Sequence, residues 1–139
     1  MTRNGTVFIV DDDLSVRRSL RRLVVSAGYD VQLFSSAEEV LAVTEWPKPC
    51  CLIVDVSMPG MTGLDLVDAL RTASRNVPVI LSSGYGDAAT LARARQSDVF
   101  AFLAKPFRAH ELLPLLARMC EPAAIQGSSS PRLSPSDPA

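Results

Sequence analysis

The amino-acid sequence predicts an α/β protein with one five-stranded parallel sheet and helices on both of its faces. Short apolar runs alternate with segments of helical spacing through residues 6–120, and this alternation is typical of βα repeats. The apolar runs are continuous rather than alternating, as expected for parallel strands that are buried on both faces. With 139 residues, of which 47% are hydrophobic, the chain is long enough for one well-packed domain.

Each predicted strand is an apolar run that ends at a polar residue or at a turn. The first run begins at Thr6 and stops before three consecutive aspartates, and the second, which contains Asp30 and Gln32, is weaker. The third run delivers Asp55, the fourth continues into two serines and Gly84, and the fifth precedes a Lys-Pro pair. In chain order, the predicted strands are residues 6–10, 30–34, 51–54, 77–81 and 99–103.

The segments between the strands carry apolar side chains at helical spacing together with signals for helix ends. Gly28 ends the first helix, and Ser36 with Glu39 forms a predicted capping box at the start of the second. Asp87 can cap the fourth helix, and Pro114 removes one backbone hydrogen bond from the fifth, which can bend it. In chain order, the predicted helices are residues 14–27, 36–45, 64–73, 87–96 and 109–120.

The order of these elements also predicts the topology and the extent of the domain. Right-handed crossovers between parallel strands favour the flavodoxin-like strand order 2-1-3-4-5. We expect the folded domain to occupy residues 1–121. Residues 122–139 are rich in proline and serine and offer little apolar surface to bury, so they are predicted to form a disordered tail.

Composition argues against several classes of function. The net charge is −1, which lacks the basic character of a nucleic-acid-binding protein, so we expect no direct contact with nucleic acid. No run of 18 apolar residues and no signal-peptide pattern is present, so we expect a cytoplasmic protein without membrane contact. The three cysteines are Cys50, Cys51 and Cys120, and their spacing fits buried thiols rather than disulfides or metal ligands.

Charged residues follow three of the predicted strands. Asp11, Asp12 and Asp13 follow the first, Asp55 ends the third, and Lys105 follows the fifth. Because the carboxyl ends of parallel strands share one edge of the sheet, these side chains should converge there. Clustered carboxylates repel one another, so we expect a divalent cation such as Mg²⁺ and phosphoryl chemistry. The plainer alternatives are that the aspartates only cap the first helix and that Lys105 is a surface lysine.

In combination, the motifs at these strand ends resemble the receiver domain of bacterial two-component response regulators. The resemblance covers about residues 6–120, and the stretches 84–87 and 104–107 are most similar to the branch typified by nitrogen-fixation regulators. The motifs are Val10-Asp11-Asp12-Asp13, Val54-Asp55-Val56-Ser57-Met58-Pro59-Gly60-Met61-Thr62-Gly63, Ser83-Gly84 and Lys105-Pro106-Phe107.

The resemblance implies a role for each matching residue. It implies that Asp55 accepts a phosphoryl group from a sensor histidine kinase or a phosphotransfer protein, and that the chain catalyses only its own phosphorylation and slow dephosphorylation. For Phe102, the alternative to a switch role is that of a plain core residue. The other implied roles are Mg²⁺ ligation by Asp11, Asp12, Asp55 and the Ser57 backbone carbonyl, and phosphoryl contact or switching by Ser83, Lys105 and Phe102.

The resemblance also suggests surfaces for partners. Arg17, Arg18 and Arg21 with Pro106 are a candidate docking surface, although the arginines can equally be a solvated helix face. A homodimer could form through helix 87–96 and strand 99–103. We expect a stand-alone receiver without an output domain, because no charged or helical linker leads out of the last helix; a truncated sequence is the alternative.

Two other classes of function use similar parts. A Mg²⁺-dependent phosphatase of the haloacid-dehalogenase kind also combines an α/β sheet with aspartates and a lysine, but this chain has no room for a substrate cap domain. A nucleotide or flavin binder could use the same fold. The first loop is acidic and lacks glycine, however, which is unsuitable for an anionic phosphate group.

Overall fold

A computed structural model describes residues 5–84, 92, 93, 96 and 99–119 of the chain. All strand pairs are parallel and the strand order is β2-β1-β3-β4-β5, which confirms the predicted topology. The strands are β1 (Thr6–Val10), β2 (Asp30–Phe34), β3 (Cys50–Asp55), β4 (Val79–Ser83) and β5 (Ala101–Ala104). The helices are α1 (Leu14–Ser26), α2 (Ala37–Leu41), α3 (Gly63–Thr72) and α4 (Ala109–Met119).

Two expectations fall wholly or mostly outside the described residues. Of the predicted helix 87–96, the structure describes Ala92, Arg93 and Gln96, which are helical. The predicted tail 122–139 lies beyond them. Among the residues described, no helix is both long enough and apolar enough to cross a membrane.

Side chains alternate across the sheet and form two separate cores. Cys50 lies in the core that contains Phe8, whereas Cys51 lies in the core that contains Val7, because successive strand residues point to opposite faces. Both cysteines are buried, as the sequence predicts, and neither belongs to a disulfide within the described residues; Cys120 lies outside them. The Phe8 core packs against α2 and α3 through Val40, Leu66, Val67 and Leu70, and the Val7 core packs against α1 and α4 through Leu20, Val24, Leu112 and Leu116.

Helix α2 is shorter than predicted because of the only tryptophan in the chain. The helix ends at Leu41 instead of continuing to Glu45. Trp46 then places its ring 4.9 Å from that of Phe8, and its Nε1 donates to the carbonyl of Val43. Burying the large apolar indole favours a turn over further helix, because the helix would direct Trp46 away from this core.

The last two strands are displaced by about two residues from their predicted positions. Pairing with β3 sets the boundaries of β4, in which Val79 lies opposite Leu52 and Ser82 lies opposite Asp55. β5 follows the same register, with Phe102 opposite Leu81. As a result β4 includes both serines, and β5 begins at Ala101 instead of Val99. Helix α4 is continuous through Pro114, which is exposed at the surface.

Candidate functional site

The structure brings Asp11, Asp55 and Lys105 together at the carboxyl edge of the sheet. Lys105 Nζ lies 2.8 Å from Asp11 Oδ2 and 3.6 Å from Asp55 Oδ1. Asp11 is 2% exposed and Asp55 is 6% exposed, whereas Asp12 is on the surface. Carboxylate oxygens of all three aspartates lie within 4.8 Å of one another, which gives a cluster able to surround a small cation.

Asp13 belongs to the helix and not to this cluster. Its side chain accepts hydrogen bonds from the backbone N–H groups of Ser15 and Val16, at 2.8 and 3.2 Å, and so caps α1. Capping therefore explains one of the three consecutive aspartates. The cap also starts α1 directly beyond β1, which keeps the Asp11 and Asp12 turn short.

Backbone contacts of the β3–α3 loop hold Asp55 in place. The Val56 N–H donates to the Ser82 carbonyl at 2.8 Å, and the Ser57 N–H donates to Asp55 Oδ1 at 3.3 Å. Gly63, the first residue of α3, donates to the Val56 carbonyl at 3.0 Å. A Cβ atom at Gly63 would lie 2.5 Å from the Asp55 carbonyl oxygen, so only glycine permits this approach.

The importance of Gly63 was missed in the sequence-based prediction. The feature of the sequence that could have indicated its role is its position, because Gly63 directly follows Thr62. Thr62 caps α3 through a reciprocal capping box with Asp65. A glycine costs free energy in a helix, so its presence at a well-capped start indicates a close backbone contact. The neighbour in that contact could not be identified from spacing alone.

Ser83 and Phe102 lie on the same face of the sheet, and Ser83 also has a backbone contact with Lys105. Ser83 is buried at the end of β4, and its carbonyl accepts the Lys105 N–H at 2.7 Å. Phe102 is half-buried and packs against the core that contains Phe8, on the face to which Ser83 also belongs by alternation. Phe100 is different, because it is 39% exposed and lies beneath the guanidinium of Arg118.

Burial and charge shift the protonation equilibria in the cluster. Burial raises the pKa of Asp55, and the nearby Asp11 carboxylate raises it further, while Lys105 opposes both effects. Burial alone would lower the pKa of Lys105. The hydrogen bond that Lys105 donates to Asp11 and the negative charges of Asp55 and Asp11 outweigh this effect, so the pKa of Lys105 is raised. Three carboxylates face one ammonium, and oxygen donors with excess negative charge suit a divalent cation such as Mg²⁺.

A comparison with known protein families identifies the family to which this fold belongs. The family model described as "Response regulator receiver domain" matches residues 7–117. The chain belongs to this family. The match favours a two-component signalling role over the phosphatase and nucleotide-binding alternatives.

Similar proteins support the assignment of this receiver domain. It is 41% identical to "Nodulation protein W" of Bradyrhizobium diazoefficiens over 83% of this chain and 51% of that protein. It is 33% identical to "Transcriptional regulatory protein FixJ" of the same species over 89% of this chain and 62% of that protein, in agreement with the predicted nitrogen-fixation branch. The crystal structure of FixJ-N superposes with a TM-score of 0.75 at 31% identity, covering 86% of this chain and 95% of that one. The receiver domain therefore spans about half to three fifths of these two curated relatives.

An open cleft lies beside the site in this receiver domain. It has a volume of about 530 Å³ and runs between α1 and the segment after β5. Arg18, Arg21 and Pro106 are exposed, as a docking surface requires, whereas Arg17 is half-buried. The cleft is lined by Ser15, Val16, Ser19, Leu20, Gly84, Lys105, Pro106 and Phe107.

The raised pKa of Asp55 predicts how stability depends on pH when no metal is added. Between its unfolded and folded pKa values, Asp55 binds more protons in the folded state, so the free energy of unfolding falls as pH rises through the folded pKa. Asp55→Asn removes the buried charge and should raise the free energy of unfolding at neutral pH by about 1 kcal/mol. Urea unfolding in a chelator, followed through the fluorescence of Trp46, measures this.

The matched control for this stability measurement is Asp13→Asn. Asparagine caps a helix as well as aspartate does, and Asp13 is exposed, so this variant should unfold like the wild type. An Asp55→Asn domain less stable than the wild type at neutral pH would contradict the prediction.

Proposed function

We propose that this receiver domain accepts a phosphoryl group on Asp55 from a phosphohistidine of a sensor histidine kinase or a phosphotransfer protein. The observation that supports it best is the buried Asp55 carboxylate, which lies 3.6 Å from Lys105 within a cluster of three aspartates. In this proposal Asp11, Asp12, Asp55 and the Ser57 backbone carbonyl hold Mg²⁺. Phosphoryl uptake from acetyl phosphate by the wild type and by Asp55 variants tests it.

The reaction needs only a nucleophile and neutralised charge. A carboxylate oxygen of Asp55 forms the new P–O bond while the P–N bond to the donor histidine breaks, and the imidazole leaves with the bonding electron pair. The bound Mg²⁺ would offset negative charge on the phosphoryl oxygens. Lys105 contributes a second positive charge, moving from the Asp55 carboxylate to a phosphoryl oxygen as the acyl phosphate forms.

The phosphorylated state would then be sensed through Ser83 and Phe102. The acyl phosphate carries a charge of about −1.5 to −2, by analogy with other phosphorylated side chains, in place of the single charge of the Asp55 carboxylate, and it does so at a buried position. We propose that the Ser83 hydroxyl moves to donate to a phosphoryl oxygen and that Phe102 repacks on the same face of the sheet. This local change in charge would bias the surface of β5 towards a partner-binding state.

We propose the cleft beside α1, with exposed Arg18, Arg21 and Pro106, as the surface for the kinase or phosphotransfer protein. The cleft is lined by the apolar side chains of Val16, Leu20 and Phe107 and by Lys105, and the two exposed arginines belong to the helix that forms one of its walls. Dimerisation through residues 87–96 and 99–103 stays a prediction, because most of that helix lies outside the described residues. We propose that the domain acts in the cytoplasm and that it does not itself contact nucleic acid.

The docking proposal predicts a difference between two phosphoryl donors. Replacing both Arg18 and Arg21 by alanine should slow transfer from a histidine kinase about 10-fold, because charge complementarity accelerates association. Phosphorylation by acetyl phosphate needs no docking and should proceed at the wild-type rate. The measurement uses the kinase that phosphorylates the wild type fastest in a purified panel. Lys48→Ala, at the opposite edge of the sheet before β3, is the control, and equal slowing with both donors would contradict a docking role.

A further inference from the structure

Arg17 differs from the other three arginines of α1. Arg18, Arg21 and Arg22 are exposed, whereas Arg17 is half-buried and directs its guanidinium at the candidate site. Its Nη1 donates to the backbone carbonyl of Asp11 at 2.6 Å. The four arginines therefore do not form one uniform patch, although the sequence placed Arg17 with Arg18 and Arg21 on the docking surface.

The position of Arg17 on the helix explains this contact. Its backbone N–H donates to the carbonyl of the N-cap Asp13 at 3.0 Å, so Arg17 lies one turn into α1. Side chains on a helix lean towards its amino end, and a long side chain at this position covers the turn that precedes the helix. That turn contains Asp11, whose carbonyl lies beyond the end of β1.

Within the part of the chain that the structure describes, four hydrogen bonds hold Asp11, and Arg17 donates one of them. The Asp11 N–H donates to the Phe34 carbonyl at 3.1 Å, and Oδ1 accepts from the Asp13 N–H at 2.9 Å. Oδ2 accepts from Lys105 at 2.8 Å. The hydrogen bond from Arg17 to the Asp11 carbonyl connects the backbone of Asp11 to a side chain of α1. It therefore restricts the orientation of the Asp11 backbone, and with it the direction in which the carboxylate points.

The positive charge of Arg17 is also felt at the turn that starts α2. Two hydrogen bonds from Ser35, one from its backbone N–H and one from its hydroxyl, lower the pKa of Glu39, and the charge of Arg17 lowers it further. The geometric contact of the Arg17 guanidinium is the one with the Asp11 carbonyl.

We propose that Arg17 is a positioning residue of the phosphoryl-acceptor site, which holds the Asp11 peptide so that the Asp11 carboxylate faces Lys105 and the cation. The inference rests on the proposed function for the identity of the cation, Mg²⁺. Arg17 touches neither the cation nor the phosphoryl group in this account. It acts through Asp11.

Positioning and simple electrostatics predict opposite effects. Removing a positive charge next to three carboxylates should strengthen their attraction for Mg²⁺ if charge alone matters. Loss of the hydrogen bond that orients Asp11 should instead weaken Mg²⁺ binding. Removing a residue that orients a metal ligand typically lowers metal affinity by about 10-fold or more. Arg17→Lys retains the positive charge but loses the planar guanidinium. Weaker Mg²⁺ binding by this variant would therefore be caused by the lost contact and not by a change in charge.

The experiment compares Arg17→Gln and Arg17→Lys with Arg22→Gln, which makes the same charge change on the same helix. Mg²⁺ titration of the purified domain, followed by NMR amide shifts, gives the dissociation constant. Both Arg17 variants should bind Mg²⁺ about 10-fold more weakly than the wild type, while Arg22→Gln stays within about 2-fold. Binding by both Arg17 variants that is as tight as in the wild type, or tighter, would overturn the proposal.

A measurement without metal separates this inference from the proposed function. The Asp13 amide bonds to Asp11 Oδ1, so its NMR shift in a chelator should change in both Arg17 variants and stay unchanged in Arg22→Gln. If the wild type binds no Mg²⁺, the proposed function fails and the Asp13 shift alone decides the role of Arg17. If Arg17→Gln does not fold, as judged by Trp46 fluorescence, Arg17→Lys carries the test. An unchanged Asp13 shift in the folded variants refutes positioning.

Discussion

Asp55→Asn and Asp55→Ala are expected to take up no phosphoryl group from acetyl phosphate under conditions in which the wild-type domain gains one. Asp55 is one of two buried carboxylates beside Lys105, the other being Asp11, and neither an amide nor a methyl group at position 55 can form the acyl phosphate. Intact mass spectrometry after incubation with acetyl phosphate measures the gain directly. In the wild type the gain should require Mg²⁺, because the carboxylates otherwise repel the incoming phosphoryl oxygens.

The control for this experiment is Asp13→Asn, which keeps the helix cap and lies outside the carboxylate cluster. It should be phosphorylated like the wild type. Undiminished uptake by Asp55→Ala would show that another residue is the acceptor and would remove the central assignment. Uptake by the wild type that does not depend on Mg²⁺ would instead leave Asp55 as acceptor and refute the metal site.

The second large effect is expected at Gly63. Gly63→Ala would place a methyl group 2.5 Å from the Asp55 carbonyl oxygen and 2.9 Å from the Val56 Cα. Both neighbours are backbone atoms, so the clash can be relieved only by moving the start of α3 or the end of β3. We expect the free energy of unfolding to fall by about 1–3 kcal/mol, although alanine is the better helix former. Urea unfolding followed by Trp46 fluorescence measures it.

Gly84→Ala is the matched control, because a Cβ atom at Gly84 would meet no atom of the described residues within 4 Å. Its effect on stability should stay within about 0.5 kcal/mol, as for most surface changes. The displaced Asp55 carbonyl in Gly63→Ala should also slow phosphorylation by acetyl phosphate. A Gly63→Ala domain as stable as the Gly84→Ala domain would mean that the loop yields without cost and that Gly63 does not position Asp55.

The cluster of Asp11, Asp12, Asp55 and Lys105 was predictable because charged residues are unusual at the ends of buried strands. Aspartates after two buried strands and a lysine before a proline have few structural uses, and parallel topology brings strand ends to one edge. The same argument failed for Arg17. Its sequence neighbours are arginines of the same charge, and only the tilt of its side chain towards Asp11 separates it from them.

Element boundaries show the same division. The start of α1 could be predicted from the acidic residues that precede it. The end of α2 could not, because it depends on the contact between Trp46 and Phe8, a residue 38 positions earlier in the chain. The limits of β4 were set by its partner β3 rather than by its own apolar run, so both serines belong to the strand. Local propensity depends on neighbouring residues in the sequence, whereas strand pairing and burial depend on contacts between segments that are distant in sequence.

The sequence by itself determined the βα alternation, the parallel sheet, the strand order and the receiver family, because hydrophobic periodicity and the motifs at strand ends are local properties. Only the tertiary structure decided that Asp13 caps a helix while Asp11 and Asp12 join Asp55, that Gly63 supports the Asp55 backbone, and that Arg17 faces inward. Each of these depends on distances of a few ångströms between separate elements. Such distances are set by how the elements pack against one another, and the spacing of residues along the chain does not predict them.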